Sequence, residues 1–193
     1  MAWDTAHTKQ LLLDAAVEEF AEHGPEGARV ARVAARAGIN KERIYQYFGN
    51  KEKLFAAVLE SELRKITTAV PLTGEQAADL GDYAGRVFDY HRQHPHFMRL
   101  LAWEGLHYQG RVVAEDERTA SYGEKTAALA EAQQAGTLTN DIAPGQLMHA
   151  VISLIASWYT LPQLTRMLVP TVADAGEDAQ REALVTVVRR LTA

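Results

Sequence analysis

The 193-residue chain contains no cysteine. Without thiols there is neither a disulfide framework nor a thiolate metal site, and the composition suits a reducing compartment. The N-terminal stretch MAWDTAHTKQLLLDAA has no basic segment leading into an apolar run, so it does not read as a secretion signal. Long hydrophobic runs are also missing. The most apolar stretch, Leu147 to Tyr159, is too short to span a bilayer and carries His149, Ser153 and Ser157. These absences lead to the expectation of a soluble, cytoplasmic protein with no membrane partner. Sustained period-two alternation is absent, which argues against strands. There is no Gly-rich phosphate loop and no serine nucleophile elbow.

Metal and catalytic motifs are equally thin. Glu104-Gly105-Leu106-His107 is a Glu-x-x-His, but a di-iron carboxylate bundle needs two such motifs and two further Glu, and no second copy occurs. His91, His94 and His96 straddle Pro95 without a nearby carboxylate to complete a site. His94 suits a helix C-terminus instead, where a cation meets the negative end of the dipole. The reading is therefore of no catalytic residue, no metal and no cofactor. A helical-bundle metalloenzyme is the remote alternative.

What is present is helix. Gly and Pro fall between periodic segments, and 47% hydrophobic content suffices for one sizeable core or two small ones. A first helix is expected from about Thr8 to His23, with Leu12, Ala16 and Phe20 on one face and Gly24-Pro25 closing it. Short helices follow over about 29–36 and 41–47. A longer one, capped by Asn50, reaches about Thr68. Thr73-Gly74-Glu75-Gln76 has capping-box spacing and opens the next helix, which ends at His94-Pro95. Further helices are expected over about 95–108, 112–135, 144–160 and 177–191.

Charge is unevenly spread. The net charge is -5, yet residues 29–53 hold Arg29, Arg32, Arg36, Lys41, Arg43, Lys51 and Lys53 against only Glu42 and Glu52, a local +5. A basic patch on an otherwise acidic chain can bind phosphate while the remainder repels it. Within that patch Tyr45, Tyr47 and Phe48 crowd into four positions. Two short helices joined by Ala37-Gly38-Ile39-Asn40 have helix-turn-helix spacing, whose second helix enters the DNA major groove. Ile44 and Phe48 then face inward, and Asn40 caps the second helix. Lys41, Glu42 and Arg43 project at its N-terminal end, with Gln46 one turn further on. Tyr45 and Tyr47 lie along the groove wall, and Lys51 meets a phosphate.

The segment from about Thr8 to Lys53 resembles the TetR family of transcriptional regulators. The resemblance rests on Val33-Ala34, Ala37-Gly38-Ile39-Asn40, Ile44-Tyr45-Gln46-Tyr47-Phe48 and Lys51-Glu52-Lys53-Leu54. Asn40 stands where Ser is usual. Arg29 stands where a capping Thr is common, and offers a cation in place of a hydroxyl. The resemblance implies an all-α chain with a helix-turn-helix domain over 1–53 and a helical ligand-binding and dimerisation domain over 54–193. It implies a repressor that binds a palindromic double-stranded DNA operator as a homodimer and responds to a small, partly apolar effector. A DNA-binding regulator without a small-molecule ligand is the alternative. The DNA-binding candidates are Arg29, Asn40, Lys41, Glu42, Arg43, Tyr45, Gln46, Tyr47 and Lys51. Aromatic and amphipathic side chains in the middle helices supply the effector candidates Tyr83, Phe88, His91, Trp103, His107, Tyr122, Met148 and Trp158. The helix over 144–160 is apolar nearly all round and needs cover on every face. A two-fold contact involving the last helix, with Leu184 and Val187 on its stripe, would provide it.

Overall fold

A computed structural model describes residues 5–193. Residues 1–4, which begin the N-terminal stretch considered above, lie outside it. Among the described residues every regular element is helical, and no helix is long and apolar enough to cross a membrane. The residues form two compact units, one of residues 5–66 and 95–114, the other of 67–94 and 115–193.

The first unit holds α1 (Thr5–Gly27), α2 (Val30–Ala37), α3 (Lys41–Phe48), α4 (Lys51–Ala69, as far as residue 66) and α6 (His96–Tyr108). Leu12, Ala16 and Phe20 of α1 are fully buried, as the periodicity predicts, and meet Val33, Ile44, Leu54, Phe55, Val58, Leu59 and Leu100 in one core. Gly24 does not end α1. It takes φ 66° and ψ 174°, kinks the chain, and a last turn resumes at Pro25, where proline's fixed φ suits a first helical position. The kink has a second cause. A Cβ on Gly24 would lie 2.8 Å from the Trp103 ring of α6, so only glycine allows α1 and α6 to meet there. The turn after α2 depends on Gly38, at φ 66° and ψ 26°. There the Ile39 N–H reaches the Ala34 carbonyl at 3.0 Å, a Schellman closure. The expected domain boundary after residue 53 coincides with no structural break, because α4 runs through it and buries Leu54, Phe55, Val58 and Leu59 in this core.

Two buried carboxylates brace the first unit. Glu19 accepts the Arg29 backbone N–H at 2.8 Å and Arg32 Nε at 2.8 Å. Arg29 offers no side-chain cap to α2, and Glu19 of α1 takes up the N–H of the cap residue itself. Glu62 accepts from Lys65 Nζ at 2.6 Å and lies 2.8 Å from His96 Nε2, tying α4 to the start of α6. Burial alone pushes both carboxyls up. Hydrogen bonds and nearby cations outweigh it, and both sit below the ordinary 4.5.

The second unit holds α5 (Leu80–Gln93), α7 (Glu115–Gln134), α8 (Pro144–Thr160), α9 (Pro162–Leu168), α10 (Pro170–Asp174) and α11 (Glu177–Thr192). The Thr73–Gln76 capping box forms, with Gln76 Oε1 accepting the Thr73 N–H at 3.1 Å. It opens only a short 3-10 turn over Gln76–Ala78. The helix proper restarts at Leu80, where Asp79 accepts the Asp82 N–H as its own cap. Gly81 and Gly85 interrupt α5 for a packing reason. A Cβ at these positions would sit 2.5 Å from Arg189 Cγ and 2.6 Å from Arg181 Nη2. The two arginines of α11 thus lie across α5 to reach Asp79 and Asp89, each at 2.8 Å.

Candidate DNA-binding and effector sites

The recognition candidates divide by exposure. Ile44 is fully buried, and Tyr47 and Phe48 are half-buried against the same core. Lys41, Glu42, Arg43, Tyr45 and Gln46 are exposed. The helix therefore presents one continuous polar face, as its 3.6-residue period requires. Asn40 Oδ1 accepts the Glu42 N–H at 3.2 Å, the expected N-cap. Arg43 Nη1 donates to Gln46 Oε1 at 3.2 Å, one turn along the face. Lys41 Nζ lies 5.8 Å from the Tyr45 ring centroid and Lys9 Nζ 5.6 Å from that of Tyr47. Lys51 Nζ donates to the Glu26 and Ala28 carbonyls at 3.2 and 3.4 Å. Its ammonium thus closes the end of α1 and keeps a third proton for another acceptor.

The effector candidates fall in both units. Trp103 and His107 belong to the first. The Trp103 indole donates to the Ala21 carbonyl at 3.4 Å, and His107 Nδ1 lies 3.3 Å from Glu26 Oε1. Glu104, the other half of the Glu-x-x-His, accepts the Val113 N–H at 2.9 Å. No group of three potential metal ligands occurs among the described residues. The second unit brings Phe88, His91 and Trp158 together around Tyr159. Phe88 and Tyr159 ring centroids are 5.1 Å apart, His91 and Tyr159 5.4 Å, and Phe88 and Trp158 6.5 Å. The Tyr159 hydroxyl donates to the Phe88 carbonyl at 2.7 Å. Met148 is buried in the same unit. Tyr83 and Tyr122 form a separate pair joined by Lys125. His94 ends α5, with Nδ1 2.8 Å from the Tyr90 carbonyl.

Two family models match the chain. "Bacterial regulatory proteins, tetR family" covers residues 12–58, and "Tetracyclin repressor-like, C-terminal domain" covers residues 79–190. The chain belongs to the TetR family. It is 39% identical to the HTH-type transcriptional repressor SCO4008 of Streptomyces coelicolor, over 98% of this chain and 97% of that protein. It is 32% identical to the HTH-type transcriptional repressor NicS of Pseudomonas putida, over 79% of this chain and 74% of the relative. A solved structure of a transcriptional regulator from Streptomyces coelicolor, SCO4942, superposes with a TM-score of 0.84 at 34% identity, covering 96% of this chain and 98% of the other. As a TetR-family member, the chain is a DNA-binding transcriptional regulator and not an enzyme.

Three side chains of this TetR-family protein escape a sequence reading built on aromatics and projecting cations. Glu19 is hidden because a carboxylate on the apolar face of a helix resembles surface charge until its partner arginine is placed. Tyr159 reads as one more apolar residue of α8. Lys125 follows Tyr122 by three positions, one helical turn, and that spacing is the signal that places the two on one face.

His91 gives the family's C-terminal domain a measurable acid sensitivity. Burial, and then the charge of nearby His94, depress its pKa from 6.5 to about 4. The unfolded chain therefore binds a proton that the folded chain refuses between these values. The stabilisation is complete above pH 6.5 and is lost as pH falls towards 4. Urea unfolding is expected to show about 2 kcal/mol less stability at pH 5 than at pH 7 from this group. His91→Phe should flatten that part of the profile. An identical pH slope in wild type and variant would assign the sensitivity elsewhere.

Proposed function

We propose that this chain is a homodimeric repressor that reads a palindromic operator with α3 and leaves it when a small, partly apolar effector binds. The exposed polar face of α3, held on the core by Ile44, is the observation that carries the reading. A helix so presented fits the major groove, with its N-terminal residues at the base edges. Lys41, Glu42, Arg43 and Gln46 take those positions, and Tyr45 and Tyr47 contact sugar and thymine methyl. Arg29 and the third proton of Lys51 face phosphate. The Asn40 side chain is committed to its cap, which fixes the start of the helix.

Arg43 reaches guanine O6 and N7 from this face, and Gln46 steadies its guanidinium. A bidentate contact of this kind contributes about 1–3 kcal/mol of base discrimination. Selection of duplexes from a random pool is expected to return a two-fold symmetric site for the wild type. Arg43→Ala should relax the preference at one base pair in each half-site. Identical site logos would remove Arg43 from base readout. A wild-type pool with no enrichment would overturn the regulator reading.

The effector reading rests on the Phe88, His91, Trp158 and Tyr159 cluster and on the Tyr83–Lys125–Tyr122 group. Both join aromatic surface to a few polar atoms, the chemistry of a small-molecule site. A ligand shifts an equilibrium only between states that it binds differently. The repressor must therefore hold two arrangements of its recognition helices, one of which matches the half-site spacing.

A further inference from the structure

Three half-buried arginines of the second unit are paired with carboxylates. Arg86 meets Asp82 at 2.9 Å, Arg92 meets Asp89 at 3.2 Å and Arg181 meets Asp89 at 2.8 Å, and the exposed Arg189 meets Asp79 at 2.8 Å. Lys125 breaks the pattern. Its side chain is half-buried, and among the described residues no carboxylate pairs with it. Its ammonium stands 5.8 Å from the Tyr83 ring centroid and 5.7 Å from that of Tyr122, and donates to the Tyr83 hydroxyl at 3.3 Å. Two of its three protons thus have no acceptor among the described residues. The Tyr83 hydroxyl accepts that bond, and among the described residues nothing takes its own proton. Tyr83 is 3% exposed and Tyr122 40%, so one ring is buried and the other lies at the surface.

We propose that the effector carries an anionic group, a carboxylate or a phosphate, that seats on Lys125 between Tyr83 and Tyr122. The proposal rests on the effector reading above. A buried charge is stable when paired and hydrogen-bonded, and an oxyanion supplies both the charge and the acceptors that Lys125 lacks. One oxygen takes an ammonium proton and a second takes the Tyr83 hydroxyl proton, a two-point contact with the spread of a carboxylate or a phosphate edge. Desolvation lowers the Lys125 pKa from its ordinary 10.5 and raises the Tyr83 phenol to about 12, which keeps the phenol a donor at neutral pH. The two rings accept the organic part of the molecule. A cationic ligand would meet the Lys125 ammonium and be repelled.

Titration calorimetry at pH 7 tests this with acetate, benzoate, octanoate and inorganic phosphate, alongside benzamide and benzylammonium. At least one anion should bind the wild-type protein, and benzoate should bind at least tenfold more tightly than its neutral and cationic counterparts. Lys125→Met should weaken the best anion at least tenfold and Lys125→Arg should retain it. Both variants should bind the selected operator like wild type when no anion is present. The proposal is overturned if none of the four anions binds, if Lys125→Met binds the best anion as wild type does, or if benzylammonium matches benzoate. Operator release by a neutral or cationic compound, unchanged in Lys125→Met, would leave the repressor standing and remove the anion.

Discussion

Phe55→Ala is expected to lower the stability of the first unit by about 3–5 kcal/mol, the range for removing a buried phenylalanine ring. Phe55 is fully buried. Its ring lies 5.0 Å from that of Phe20 on α1, 5.9 Å from Tyr108 and 6.3 Å from His107 on α6. One side chain of α4 thus joins three helices. Truncation leaves a cavity that these fixed neighbours cannot fill, because each is anchored elsewhere. Phe20 packs among Leu12 and Ala16, and His107 holds Glu26. The melting temperature should fall by on the order of 10 °C, and operator binding should vanish at temperatures where the wild type retains it. Urea unfolding followed by circular dichroism gives the measurement. A loss below about 1 kcal/mol would mean that the core closes over the gap and that the three helices are less firmly joined than their ring contacts imply.

Val187→Glu is expected to convert the proposed homodimer into a monomer. Sequence periodicity places Leu184 and Val187 on one stripe of α11, but the fold separates them. Leu184 is 1% exposed and packs within its own chain, whereas Val187 is 50% exposed. Only Val187 is therefore a clean test of assembly, since a charge at 184 would unfold the unit first. On α8, Leu147, Met148, Val151 and Ile155 are buried, while Ile152, Leu154 and Trp158 are half-covered. An apolar strip on two neighbouring helices suits a self-complementary two-fold contact. A carboxylate buried there without a partner costs several kcal/mol, which raises the dimer dissociation constant roughly a hundredfold or more. Light scattering should report the monomer mass, and the variant should lose the operator affinity that the proposed two-fold binding confers. A folded dimer of Val187→Glu would place the interface on another face.

The helices of this chain were legible where local signals and tertiary packing agree. Asn40 caps α3 and Asn50 Oδ1 accepts the Lys53 N–H at 2.8 Å, both within one turn of sequence. Signals failed where one residue type permits two outcomes. Pro25 reads as a stop, yet a helical turn resumes on it. Pro162 and Pro170 begin α9 and α10, which the sequence reading left unassigned, because proline serves a first helical position as well as it breaks an interior one. Leu164, Met167 and Leu168 of α9 stay exposed, so these helices lack the buried stripe by which periodicity is recognised. In the candidate sites, Arg43 was visible as a long cation on the exposed face of α3. The grouping of aromatics was not visible, because nothing local tells Trp103 that its ring is spent on Gly24.

The first unit is not a contiguous stretch of chain. Residues 95–114 return to complete it after an excursion through residues 67–94, and they bring Leu100 and Tyr108 to its core. On the ribosome, the helix-turn-helix therefore emerges before the segment that finishes its interior. Its nascent form leaves Phe55 without its Tyr108 and His107 neighbours until α6 has left the exit tunnel, a window open to chaperones and to aggregation. A gene fragment ending at residue 66 would encode the helix-turn-helix that we propose to face DNA and yet lack α6, which completes its core. Grafting this reading head onto another protein thus requires both pieces of chain, with a spacer of free design in place of residues 67–94.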